Sequence, residues 1–114
     1  MVSLSANWNT AKKAMGKIGV DTAVFNQSFT SSLDDFEKAR RKYDEIGGKD
    51  PQKLDDARSK LKAKKTKAKG IAGQYGNTIQ YLYKHATDTK QKSVLDDAGT
   101  TMMGIINAIN STAV

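Results

Sequence analysis

The chain contains no cysteine, one histidine, one proline and one tryptophan in 114 residues. Without cysteine it can form neither a disulfide framework nor a thiolate metal site, and its redox compartment is left open. General acid-base and nucleophilic catalysis need a sheltered titratable pair, usually one that includes histidine, cysteine or close carboxylates. His85, next to Lys84 near a helix end, suits a surface or helix C-terminal role. Asp34-Asp35, Asp55-Asp56 and Asp96-Asp97 each fall early in an expected helix, where dipole and capping roles account for them without a metal. The chain is therefore expected to be non-enzymatic and to need no cofactor or metal. Gly70, Gly73 and Gly76 lack the lysine and hydroxyl residue of a phosphate loop.

Long apolar runs are also missing. No window is apolar over the ~18 residues that a membrane span requires, and Met1 to Thr10 has no basic region followed by an apolar one. The expectation is a soluble protein, cytoplasmic or incorporated in a particle, with leaderless export left open. The length suits one small domain with a modest core.

What is present is helical patterning on both sides of the one proline. In Gly47-Gly48-Lys49-Asp50-Pro51, Asp50 can accept from free amides as an N-cap. Pro51 has the backbone angle of a first helical position, and either glycine can end the preceding helix in a left-handed turn. Leu4, Trp8, Ala11, Met15 and Ile18 recur at steps of four and three, giving an amphipathic N-terminal helix over 1–19 with a bend near Gly19-Val20. Its tryptophan and flanking lysines suit a membrane surface. The scarcity of other large apolar side chains favours docking on the bundle instead.

A second stripe of Phe25, Phe29, Leu33, Phe36, Ala39, Tyr43 and Ile46 predicts a helix over 21–46, capped by Asp21 or Thr22. Thr30-Ser31-Ser32 is a possible restart within it, and its charged residues, Glu37 among them, fall on an ordinary solvated face. Leu54, Ala57, Leu61, Ala68, Ala72, Tyr75, Ile79, Leu82 and Ala86 predict a third helix over 51–86, about 54 Å long if continuous. Its three glycines either break it or admit another backbone, and the pattern leaves both open. The last helix, over 88–110, begins at Asp88 with Gln91 as the return partner of a capping box. No strand pattern occurs. The fold class is all-α: a helical hairpin or small bundle of three to four helices in one domain, 1–114.

The formal charge of +7 is concentrated. Lys60, Lys62, Lys64, Lys65, Lys67 and Lys69 point nearly all round their helix, which predicts a projecting basic tip. Such a tip suits phosphate contacts or an acidic protein surface. Lysine outnumbers arginine sixteen to three, which favours backbone contact over base reading. No aromatic residues interleave with these lysines, so a single-strand stacking platform is disfavoured.

By contrast, Ala98 to Val114 carries no charged side chain. Met102, Met103, Ile105, Ile106 and Ile109 cover more than one face, as an interface helix would, or else form the centre of the monomer's own core. With Phe25, Phe29 and Phe36 they are the expected assembly contacts. A hairpin turning at Asp50-Pro51 with an uncharged, isoleucine-rich C-terminal helix resembles in layout the small needle subunits of type III secretion systems. The resemblance spans the hairpin and the tail and leaves Met1 to Val20 outside it. The leaderless helical hairpins of the ESX type share the architecture, but Gly47-Gly48 has no neighbouring tryptophan to supply their Trp-x-Gly turn.

The functional expectation is a structural or assembly subunit making protein-protein contacts, self-assembling or part of a phage or secretion-type particle. The alternatives are a nucleic-acid-binding protein using the lysine-rich helix and a small inhibitor of an acidic protein.

Overall fold

A polar side chain at or before each of three helices takes up amides that have no partner within the helix. In the computed structural model, which describes residues 3–25 and 28–112, Ser3 accepts from the Ala6 amide at 3.1 Å and starts α1, Leu4–Lys17. Asp50 accepts from the Gln52 and Lys53 amides at 3.1 and 3.2 Å and starts α3, Pro51–His85. Asp88 accepts from the Lys90 amide at 2.8 Å and starts α4, Thr89–Asn110. Between α1 and α3 come a short 3-10 turn, Thr22–Val24, and α2, Ser28–Ile46. The described residues form an all-α fold with no strand.

Turn chemistry sets the order of packing. Gly19 and Gly47 have φ of 88° and 55°, a region costly for a side chain, and they reverse the chain after α1 and α2. Helix α3 runs the length of the molecule, whose longest extent is 55 Å. Helix α2 packs on α3 from the Asp50 turn and α4 packs on it from the Asp88 turn, while α1 packs on both α2 and α4. The protein is thus two hairpins sharing one long helix, with α1 laid across them.

The core lies where these elements overlap. Trp8 stacks on Tyr75 with ring centroids 5.9 Å apart and planes 23° from parallel. Phe25 and Phe29 stand edge-on to Trp8 at 5.2 and 5.4 Å and edge-on to Tyr75 at 5.2 Å each. These are favoured geometries for ring quadrupoles, adding roughly 0.5–1.5 kcal/mol per pair beyond burial. The Trp8 indole N–H is buried and has no acceptor among the described residues, so this packing also offsets the cost of an unmade hydrogen bond.

Several expectations change. The helix foreseen over 21–46 is divided: Asp21 caps the 3-10 turn through the Ala23 amide at 3.0 Å, and Asn26 and Gln27 lie outside the described residues. Thr30-Ser31-Ser32 does not restart α2, because Ser32 is buried against the core and helical hydrogen bonding continues. Asp34 lies beyond the first turn and accepts from the buried Ser5 hydroxyl at 2.5 Å. Glu37, expected on a solvated face, accepts from the Leu4 amide at 2.8 Å and so caps α1 from a different helix. Gln91 closes no capping box; it donates to the Ile18 carbonyl at 3.3 Å and ties α4 to the end of α1. Gly70, Gly73 and Gly76 do not break α3.

Replacing Trp8 with alanine is expected to cost about 3–5 kcal/mol, comparable to the whole stability of a small domain. Circular dichroism should show the helical signal lost or melting far lower, whereas Trp8→Phe should retain most of it.

Candidate interaction surfaces

Burial divides the expected assembly residues. Phe25, Phe29, Phe36, Met102, Ile105 and Ile109 are each at most 2% exposed and belong to the monomer's own core. A side chain fully enclosed by its own chain has no area left for a second one. Of the eight, Met103, 57% exposed, and the half-buried Ile106 reach the surface. Trp8 is equally enclosed, so its ring is not presented to a membrane surface.

Met103 and Ile106 line a groove of about 590 Å³ between α3 and α4. Its α3 wall includes Gly73, Gly76 and Tyr83, and its α4 wall includes Asp96 and Gly99. The glycines differ in their surroundings. A Cβ on Gly76 would meet Met102 and Ile106 at 3.6 and 3.9 Å, and one on Gly99 would meet Ile79 at 3.8 Å, ordinary van der Waals contacts that the α3–α4 seam accommodates. A Cβ on Gly70 or Gly73 would meet nothing within 4 Å. Those two glycines each cost the helix roughly 1 kcal/mol relative to alanine with no packing inside the monomer to offset it.

The lysines do not form a tip. The tip of that hairpin is the Gly47 to Asp50 turn, and Lys60 to Lys69 occupy the middle of α3, where Leu61 and Ala68 are fully buried. The expectation that this stretch projects from the bundle is corrected by that packing. Lys64 lies 3.7 Å from Asp35 on α2. Lys65 donates to the Thr112 carbonyl at 2.8 Å, a cation placed at the C-terminal end of α4 where free carbonyls gather. Arg58 is engaged as well: the Tyr43 hydroxyl, then the charge of Asp55, holds its guanidinium above its ordinary value. Lys60, Lys62, Lys67 and Lys69 are exposed, and among the described residues none has a carboxylate within 4 Å.

These four are ordered around the helix. Taking Leu61, Ala68 and Ala72 as the buried ridge, Lys62 and Lys69 stand roughly 80–100° to one side and Lys60 and Lys67 roughly 100–120° to the other. Between the two rows, on the outer side of α3, run Ser59, Ala63, Thr66 and Gly70, all exposed. Sequence reasoning missed this order because it took the spread of lysines as a sign that the helix was bare. The cue was available in Leu61, Ala68 and Ala72, which already mark one inward face.

Among the described residues, no group of three or more histidine, aspartate or glutamate side chains is arranged to hold a metal ion, and no helix is long and apolar enough to cross a membrane. Compared with known proteins, the chain matches no family, no curated protein and no solved structure.

Gly70→Ala and Gly73→Ala are each expected to stabilise the protein by up to about 1 kcal/mol, read as a rise of a few degrees in the thermal midpoint. Gly76→Ala should gain at least as much, because its Cβ would add ordinary van der Waals contact with Met102 and Ile106.

Proposed function

We propose that this protein is a non-enzymatic helical subunit whose task is protein-protein contact, and that it pairs with a second copy of itself through the α3–α4 groove. The observation that carries the reading is a knob beside a hole. Met103 presents an exposed, flexible apolar side chain, and Gly73, in the same groove, leaves open space above α3. A two-fold axis at the groove places each Met103 over the partner's Gly73, the reciprocal arrangement that an isologous interface requires. Ile106 and Tyr83, 41% exposed, extend the apolar surface on either side.

A self-assembling subunit of this kind suits a phage or secretion-type particle, in which small helical chains repeat.

Light scattering coupled to size-exclusion chromatography at low and high salt tests this. The expected result is a dimer that persists at high salt, because apolar burial is not screened. Met103→Glu should yield a monomer of unchanged helicity, since burying an unpaired charge costs about 2–5 kcal/mol. A wild-type protein that remains monomeric at both salts, or a Met103→Glu variant that still dimerises, would overturn the proposal.

A further inference from the structure

We infer that the outer face of α3 between Ser59 and Gly70 is a binding surface for the phosphate backbone of duplex DNA. It adjoins the α3–α4 groove, whose lining includes none of its lysines, and does not depend on pairing. The argument rests on the two lysine rows. Lys60 and Lys67 on one flank, and Lys62 and Lys69 on the other, are each seven residues apart, about 10.5 Å along the axis. All four are exposed and lack a carboxylate partner among the described residues. Their mutual repulsion is relieved by a polyanion that meets both rows at once.

The ridge between the rows explains the choice of duplex over protein. Ser59, Ala63, Thr66 and Gly70 are small, and a Cβ at Gly70 would meet nothing within 4 Å, so α3 presents a narrow, uncharged edge. A helix is about 10–12 Å across with side chains, and the major groove of B-form DNA is about 12 Å wide. With its small edge towards the groove, α3 has a lysine row facing the phosphates of each strand. The deep, narrow major groove of A-form RNA does not admit a helix in this way.

Protein interfaces are depleted in lysine and centred on aromatic, methionine or arginine anchors. None stands on this face: Tyr75 and Leu61 point into the bundle, and Arg58, roughly 60° from the buried ridge, lies off the outer edge. No bidentate arginine reaches a base edge, so binding is expected to be sequence-independent. A straight helix leaves the curving groove after a few turns, which limits contact to this stretch even though α3 extends for 35 residues.

Fluorescence anisotropy with labelled duplexes of two unrelated sequences, across roughly 50–200 mM salt, provides the test. The two duplexes are expected to bind alike, and affinity to fall with salt. Lys60→Gln, Lys62→Gln, Lys67→Gln and Lys69→Gln combined should flatten the log–log slope by about 3–4 and remove roughly a hundredfold of low-salt affinity. Lys12→Gln, Lys13→Gln and Lys17→Gln combined remove nearly as much charge from α1 and should leave most of the slope intact. No binding at low salt, an undiminished slope in the α3 variant, an equal loss in the α1 variant, or equally tight capture of polyglutamate would each overturn the proposal.

Discussion

The stack of Trp8 on Tyr75 is the contact on which the arrangement of the helices depends. Helices α2 and α4 each pack on α3 by the ordinary logic of a hairpin, but a pair of two-helix hairpins sharing one strut is a thin structure. Trp8 reaches from α1 to α3 with Phe25 and Phe29 edge-on to both rings, and so joins three segments remote in sequence at one buried point. Around that point the polar ties act as fasteners: Glu37 and Asp34 hold the start of α1, and Gln91 holds its end. Individually such hydrogen bonds contribute about 0.5–1.5 kcal/mol, more where one partner is charged. Their larger effect is to fix where α1 lies, which in turn decides which side of α3 stays open.

That open side follows from the packing rather than from lysine content. With α1, α2 and α4 gathered around the inward ridge of α3, the opposite side of a 35-residue helix has no intramolecular cover. Its residues divide by position. Near Gly73 and Tyr83 the neighbouring α4 surface is apolar, so the open side becomes a groove suited to a chain of similar character. Near Ser59 to Gly70 it is a small, neutral edge between two basic rows. One helix therefore carries two surfaces of different chemistry that adjoin between Gly70 and Gly73, and both proposals rest on that division.

Much of this was legible in the sequence. The stop at Gly47, the Asp50-Pro51 start, the Asp88 start, the all-α class and the inward stripes depend on local capping chemistry and helical period, which residue identities at fixed spacing determine. What was not legible depends on contacts between distant segments. Glu37 looks solvated until α1 is laid beside it, and Gln91 looks like a capping-box partner until Ile18 is brought within reach. The C-terminal helix carries more apolar side chains than one stripe needs, and only the position of α1 and α3 decides that Met102, Ile105 and Ile109 are enclosed while Met103 is not. The lysine stretch was misjudged for the same reason: uncharged Leu61, Ala68 and Ala72 outweigh the charges around them once a second helix arrives.

Gly70 and Gly73 bring the physical and functional readings together. Consistency across levels is the normal condition of a folded sequence, so a residue that weakens its own helix without a neighbour to accommodate stands out. Gly19 and Gly47 are explained by positive φ. Gly76 and Gly99 sit at the α3–α4 seam, where a Cβ would make ordinary van der Waals contact, whereas one at Gly70 or Gly73 would meet nothing within 4 Å. Their effect is instead to lower the profile of α3 where each proposed surface needs it low: at Gly70 the edge between the lysine rows, at Gly73 the hole beside Met103. A helix optimised for its own stability would carry alanine at both positions, and a larger side chain at either would hold a partner away from the backbone.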